Sequence, residues 1–200
     1  PDPALDAALE ASAAAGLQHP NVVSVFDRGD VDGTYYIAMQ YLEGRTLKQL
    51  IDAGLSPEQA VGLIRQVLEG ARFAHRHGGV HRDLKPENVM YDPVTHTVKL
   101  LDFGIAMDAD QSADERLTRA GFFVGTLMYV APEALSGELV SPAADQYSLA
   151  TIAYFLLTAC LPFTGKSPRE MFTQLLSQPP MPLSKARDGV HISPALESVV

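Results

Sequence analysis

A carboxylate, an ammonium group and an amide lie within six residues of one another between Asp83 and Asn88. The carboxylate of Asp83 could orient a hydroxyl nucleophile and accept its proton. The ammonium of Lys85 could neutralise charge on a transferring phosphoryl group, and the amide oxygen of Asn88 could bind a hard cation. Because surface loops often carry such residues, this segment by itself leaves catalysis and a solvated loop equally open.

A second cluster, Asp102-Phe103-Gly104, follows the apolar run from Val98 to Leu101, which is typical of a short strand. A carboxylate at the end of a strand can bind a metal ion, and the glycine permits a sharp exit of the chain. A third cluster comprises Gly125-Thr126, Tyr129 and Ala131-Pro132-Glu133. Together with the segment described above, these clusters match the signature set of protein kinases in order and spacing.

In these motifs the chain resembles the eukaryotic-type serine/threonine protein kinases, particularly their bacterial members, over almost the whole sequence. The resemblance implies a protein-kinase-like α+β fold. A remnant of the β-rich N-lobe is expected in residues 1–42, and a mostly α-helical C-lobe in residues 43–200. The resemblance also implies transfer of the γ-phosphate of ATP, with Mg²⁺ or Mn²⁺ as cofactor, to Ser or Thr hydroxyls of protein substrates.

The resemblance assigns roles to the residues that could do chemistry. Asp83 matches the catalytic base, and Lys85 matches the lysine that contacts the γ-phosphate of ATP. Asn88 and Asp102 match the two metal ligands. Glu10 matches the helix glutamate that pairs with the nucleotide-binding lysine. Its own surroundings in the sequence favour a solvated helix face, and only its position in the family pattern assigns this role.

The same resemblance places the adenine of ATP at a hinge after the second predicted strand. Met39 matches the gatekeeper residue of that hinge. The backbone carbonyl of Gln40 and the backbone amide of Leu42 match the groups that contact adenine. Asp145 matches the aspartate of a helix that braces the catalytic loop, and His81 is expected to be a packing residue.

Regulation and substrate class also follow from the resemblance. Thr118 occupies a typical phosphorylation position with Arg82 as its usual partner, but Met107 replaces the basic residue that is common in this segment. We therefore expect phosphorylation to activate only modestly. Thr126 is typical of Ser/Thr rather than Tyr kinases, and Glu133 matches a glutamate that pairs with an arginine beyond the last predicted helix.

Two kinase elements are missing from the sequence. It contains no Gly-x-Gly-x-x-Gly motif, and no lysine precedes Lys48, which lies beyond the predicted hinge. These absences predict a fragment that is inactive by itself. The alternative is a non-catalytic, kinase-like binding module (a pseudokinase). A glycine-rich loop and a lysine ahead of Pro1 in the full-length sequence would favour the enzyme, and their absence would favour the module.

Composition excludes several other classes of protein. The net charge of −9 argues against a nucleic-acid-binding surface, which needs clustered Lys and Arg. The single cysteine, Cys160, excludes an internal disulfide. The most apolar run, from Leu149 to Leu161, is shorter than the ~20 residues of a membrane helix. A cytoplasmic kinase domain is expected, with any membrane anchor outside this chain.

Local signals predict the first elements of the chain. An Ala- and Leu-rich stretch predicts a helix over residues 3–17. Residues 22–27 and 35–41 predict two strands, and Asp32-Gly33 between them is a strong hairpin signal. Residues 46–53 predict a short helix.

Ser-Pro pairs predict where the later helices begin, because the serine can cap the helix and proline suits its first position. These pairs begin at Ser56, Ser141, Ser167 and Ser193. Residues 105–131 show no sustained periodicity and predict a long ordered loop. Residues 179–194 predict a proline-rich connection.

Overall fold

A computed structural model of the chain describes residues 18–101, 128–135, 141–165, 167–187 and 192–200. The predicted helix over residues 3–17 and most of the predicted loop over residues 105–131 lie outside this range. So do four predicted functional residues, namely Glu10, Asp102, Thr118 and Thr126. Within the described ranges, the structure contains no helix with the length and apolarity needed to cross a membrane.

The first two strands form an antiparallel hairpin, β1 (Val25–Val31) and β2 (Thr34–Met39). Asp32 and Gly33 both have positive φ, 55° and 79°, as a two-residue type I′ turn requires. The amide of Gly33 donates to Asp30 Oδ1 at 2.9 Å and closes the turn. The predicted hairpin is confirmed, but it begins at Val25 and not at residue 22.

A three-stranded antiparallel sheet follows, in the order β3 (Arg45–Thr46), β4 (Val89–Asp92) and β5 (Thr97–Leu100). The third strand was not predicted, because a two-residue strand has no periodicity of its own. Its Thr46 also caps the helix α1 (Leu47–Ala53) through a reciprocal pair of hydrogen bonds with Gln49.

The long helix α2 (Pro57–Arg76) begins where the Ser-Pro pair predicts. Ser56 accepts a hydrogen bond from the amide of Gln59, whose side chain accepts in return from the amide of Ser56. One face of α2 is buried at three- and four-residue spacing, through Ala60, Leu63, Val67, Ala71 and Ala74.

The helices of the second half surround the core. They are α3 (Pro132–Leu135), α4 (Pro142–Thr158), α5 (Pro168–Ser177), α6 (Leu183–Ala186) and α7 (Pro194–Glu197). Helix α4 packs against α2 and buries Ile152, Leu156 and Leu157. The start of α4 after Ser141 confirms the prediction.

One difference from the prediction lies in the proline-rich connection, where α6 forms inside residues 179–194. Leu183 is buried, and both the amide and the hydroxyl of Ser184 donate to Glu197 Oε1, at 3.0 and 2.8 Å. These contacts are made across the chain and therefore leave no local signal in the sequence.

Candidate active site

The three chemically active groups predicted between Asp83 and Asn88 meet on one carboxylate oxygen. Lys85 Nζ lies 2.7 Å from Asp83 Oδ2, and Asn88 Nδ2 donates to the same oxygen at 2.9 Å. Asn88 Nδ2 also donates to the backbone carbonyl of Asp83 at 2.9 Å. The buried side chains of Leu84 and Pro86 anchor the loop between these residues.

The Asp83 side chain is 33% exposed and the Lys85 side chain 22% exposed, so a substrate can reach both. Both side-chain contacts of this carboxylate with described residues use Oδ2, and no described residue donates to Oδ1. Among the residues that the structure describes, the carboxylate is thus held at one oxygen only. This arrangement suits a group that accepts a proton from a bound hydroxyl.

Asp145, on the first turn of α4, lies directly beneath this loop. It is 1% exposed and accepts hydrogen bonds from the backbone amides of His81, at 2.7 Å, and Arg82, at 2.8 Å. Arg82 has a φ of 69°, a left-handed conformation that is unfavourable for a residue with a side chain. The carboxylate therefore fixes the backbone of the two residues that precede Asp83.

His75 belongs to the candidate site but was not predicted from the sequence. Its Nε2 donates to Asp145 Oδ2 at 2.8 Å, so this buried carboxylate has three donors. One signal was present in the sequence, because His75 follows the buried residues Val67 and Ala71 at four-residue spacing and must share their face of α2. Its partner is 70 residues away, which no local pattern could show.

His81 is fully buried, as expected of a packing residue. Burial lowers the pKa of its imidazole below the usual value, so that the ring is neutral near pH 7. Its Nδ1 lies 3.4 Å from the backbone amide of Asp83 and accepts a long hydrogen bond from it. His81 therefore also helps to set the orientation of Asp83 through the backbone.

The residues present fit a hard cation beside Asn88. Because Asn88 Nδ2 donates twice to Asp83, the amide is held in one orientation and its Oδ1 remains as an acceptor. The backbone carbonyl of Asn88 also accepts from the amide of Leu101 at 2.9 Å, and Leu101 is the residue before Asp102 in the sequence. Asn88 thus supplies one oxygen of the type that Mg²⁺ prefers, and the described segment that precedes Asp102 in the sequence lies beside it.

The predicted hinge lies at the end of the hairpin. Met39 is half-buried and pairs with Val25, and the amide of Gln40 donates to the carbonyl of Ser24 at 2.8 Å. Within the described part of the chain, neither the carbonyl of Gln40 nor the amide of Leu42 takes part in a backbone hydrogen bond. Both predicted adenine contacts therefore remain available.

Two further predicted site residues, Arg82 and Glu133, lie in different segments of the chain. Arg82 is exposed, and Glu133 is half-buried in the first turn of α3. Ser148 Oγ donates to the carbonyl of Tyr129 at 2.6 Å and ties α4 to the segment that leads into α3. A small cavity between Asp83, Asp145 and Ala131 separates the loop from this segment.

The protein kinase domain family matches residues 4–195. The chain is 41% identical to the serine/threonine-protein kinase pkn3 of Myxococcus xanthus over 198 residues, which cover 96% of this chain and 36% of that protein. It is 35% identical to PknB of Mycobacterium leprae over 197 residues, 96% of this chain and 31% of PknB.

A third relative, PrkC of Bacillus subtilis, is 38% identical over 160 residues, which cover 79% of this chain and 24% of PrkC. The chain thus spans about a third of the length of the first two relatives. The family match extends over nearly the whole chain, and the helices and small sheets have the mixed content of a kinase-like α+β fold. The chain belongs to the protein kinase domain family.

Proposed function

We propose that the protein transfers the γ-phosphate of Mg·ATP to Ser or Thr hydroxyls of protein substrates. The observation that carries this proposal is the convergence of Lys85 and Asn88 on Asp83 Oδ2, which leaves Oδ1 open to a hydroxyl. The three relatives are named serine/threonine-protein kinases, which supports Ser and Thr as acceptors.

In this mechanism Asp83 Oδ1 accepts the proton of the substrate hydroxyl. A bond forms between the hydroxyl oxygen and the γ-phosphorus, and the bond from that phosphorus to the β-phosphate oxygen breaks, which releases ADP. Lys85 offsets negative charge on the transferring group. The step needs little chemistry from the protein beyond placing these groups, because phosphoryl transfer depends mainly on position and charge.

The remaining roles are part of the same proposal. Asn88 and Asp102 hold the divalent cation, which neutralises charge on the phosphate oxygens when it is bound. The backbone of Gln40 and Leu42 contacts adenine beside Met39. Glu10 holds the nucleotide-binding lysine of the N-lobe, in a two-lobed domain divided at residues 42 and 43.

Regulation and location complete the proposal. Arg82 pairs with phosphorylated Thr118, with Thr126 and Glu133 in the segment that follows. The domain acts in the cytoplasm.

The proposal is tested by incubating the full-length protein with radiolabelled ATP and a peptide mixture that contains Ser, Thr and Tyr acceptors. We expect label on Ser and Thr only, with a turnover of ~1–100 s⁻¹ on a good substrate. The matched control is the same protein with ATP and EDTA. ATP binding without incorporation of label would contradict the proposal and favour a binding module.

The proposal that Asn88 binds the metal ion is tested separately by Asn88→Leu, which removes the Oδ1 ligand with little change in side-chain volume. We expect the Mg²⁺ concentration for half-maximal activity to rise at least about tenfold, as for losses near a metal ligand. Glu87→Gln, at the exposed neighbouring position, is the control and should leave the Mg²⁺ dependence unchanged. Equal Mg²⁺ dependence in Asn88→Leu and the parent would remove Asn88 from the metal site.

A further inference from the structure

Gln66, a half-buried residue of α2, uses both ends of its side-chain amide to join distant segments. Its Oε1 accepts from the amide of Val98, at 2.8 Å, and from Asn21 Nδ2, at 3.1 Å. Its Nε2 donates to the carbonyl of His96 at 3.1 Å. One side chain therefore links the C-lobe helix to β5, to the turn before β5 and to the segment that leads into β1.

The segment before β1 is itself attached to β5. Asn21 is buried, and its Nδ2 donates to the carbonyl of Val98 at 2.8 Å. The amide of Leu100 donates to the carbonyl of Asn21, and the amide of Val23 donates to the carbonyl of Leu100, both at 2.9 Å. The segment from Asn21 to Val23 therefore lies along β5 as an added partner.

Gly70, one turn after Gln66 on α2, shows how closely the helix approaches this junction. A Cβ at position 70 would lie 2.7 Å from the carbonyl oxygen of Asn21 and 2.9 Å from Leu100 Cδ1. The backbone carbonyl cannot retreat without breaking its bond to Leu100. Helix α2, β5 and the segment before β1 are thus in direct contact, without room for a side chain at position 70.

The two chain segments joined here lead to opposite ends of the proposed nucleotide site. Ser24 directly follows the segment from Asn21 to Val23, and its carbonyl accepts a hydrogen bond from the amide of Gln40 at the predicted hinge. At the other end, β5 is followed by Leu101 and then by Asp102. The amide of Leu101 donates to the carbonyl of Asn88 at 2.9 Å. A shift of either segment against α2 would therefore change the spacing between the adenine contacts and Asn88, a proposed metal ligand.

We propose that Gln66 is a positioning residue that couples the adenine-binding hinge to Asn88, a proposed metal ligand, by holding Asn21 and Val98 in one register on α2. The inference rests on the proposed function. Gln66 does not touch substrate. It acts through the backbone of Val98, which is fully buried and has no water to replace a lost acceptor.

The test replaces Gln66 with Met, which keeps the shape of the side chain and removes its hydrogen bonds. In the full-length protein we expect the KM for ATP, and the Kd of a fluorescent ATP analogue, to rise roughly tenfold, the equivalent of one unsatisfied buried donor. The KM for the peptide should stay unchanged. Gln66→Glu keeps an oxygen for Val98 and Asn21 and should remain within about threefold of the parent.

Arg65→Met, at the exposed neighbouring position of the same helix, is the matched control and should leave both KM values unchanged. All measurements are made well below the thermal midpoint of each variant, so that a purely stabilising role would leave the KM for ATP unaffected. Unchanged KM and Kd in a folded Gln66→Met variant, or an equal rise in Arg65→Met, would overturn the proposal.

If Gln66→Met does not fold, the KM for ATP and the Kd of the ATP analogue are measured with Gln66→Asn instead. Its shorter side chain cannot reach all three partners, and it should raise the KM for ATP in the same direction by a smaller factor. An unchanged KM for ATP in Gln66→Asn would overturn the proposal. A parent protein that binds the ATP analogue but transfers no phosphate contradicts the proposed function alone, since the Kd comparison still tests Gln66.

Discussion

Asp83→Asn is expected to lower turnover by about 10²–10⁴, the range for a positioned acid–base group, with little change in ATP affinity. Because Oδ2 of Asp83 faces two donors, Lys85 Nζ and Asn88 Nδ2, the amide oxygen of the new side chain should take that place. Its NH₂ group then replaces Oδ1 and cannot accept the proton of a hydroxyl. The loop keeps its shape and loses its base.

This prediction is measured by single-turnover phosphoryl transfer and by titration of ATP in the full-length protein. Asp52→Asn is the matched control, because Asp52 is an exposed aspartate whose partner is Lys48, four residues earlier on α1. That variant should keep the turnover of the parent. If Asp83→Asn also kept it, Asp83 would not be the base, and another acceptor for the proton would have to be found.

The parts of the fold that the sequence predicted are those with local causes. The turn at Asp32 and Gly33 needs positive φ at two successive residues, and this requirement shows in the residue types. Helix starts at Ser-Pro pairs are equally local, since the cap and the first residue are adjacent. By contrast, β3 depends on pairing with Tyr91 and Met90, and α6 depends on the burial of Leu183.

The same difference between local and distant causes applies to the candidate site. Asp83, Lys85 and Asn88 were predicted together because one short loop carries all three and the family motif fixes their spacing. His75 and Gln66 were missed, because their partners lie 70 and 32 residues away and their residue types are ordinary for a helix. The sequence therefore predicted the candidate groups on the loop better than these two side chains, whose role lies in contacts with distant segments.

The brace beneath the catalytic loop gives the second large expected effect. Asp145→Asn keeps the volume of the side chain but replaces one of two acceptor oxygens with a donor. The amide oxygen can serve His81 and His75 at the Oδ2 position, and its NH₂ group then faces the amide of Arg82. At 1% exposure no water can relieve this clash of two donors. We expect a loss of about 3 kcal/mol of stability, as for broken buried charge networks.

For a domain of this size such a loss corresponds to a fall of about 10 °C in the midpoint of thermal unfolding. Turnover should fall at least about tenfold even where the variant is folded, because the backbone of Arg82 is no longer held in its left-handed conformation and Asp83 follows it. The measurements are thermal unfolding and steady-state turnover of the full-length protein. A midpoint within about 2 °C of the parent would show that the three contacts of Asp145 do not stabilise the loop.

A double-mutant cycle with His75→Leu separates the brace from simple loss of packing. If His75 acts through Asp145, His75→Leu should lower the free energy of unfolding less in the Asp145→Asn variant than in the parent. The coupling energy should then exceed about 0.5 kcal/mol, the limit within which independent sites add. His77→Leu is the matched control, because His77 is an exposed histidine two residues after His75. Its Nδ1 contacts the carbonyl oxygen of Phe73, at 2.8 Å, instead of Asp145. Additive effects for His75 and Asp145 would mean that the contact between them contributes nothing to holding Asp83.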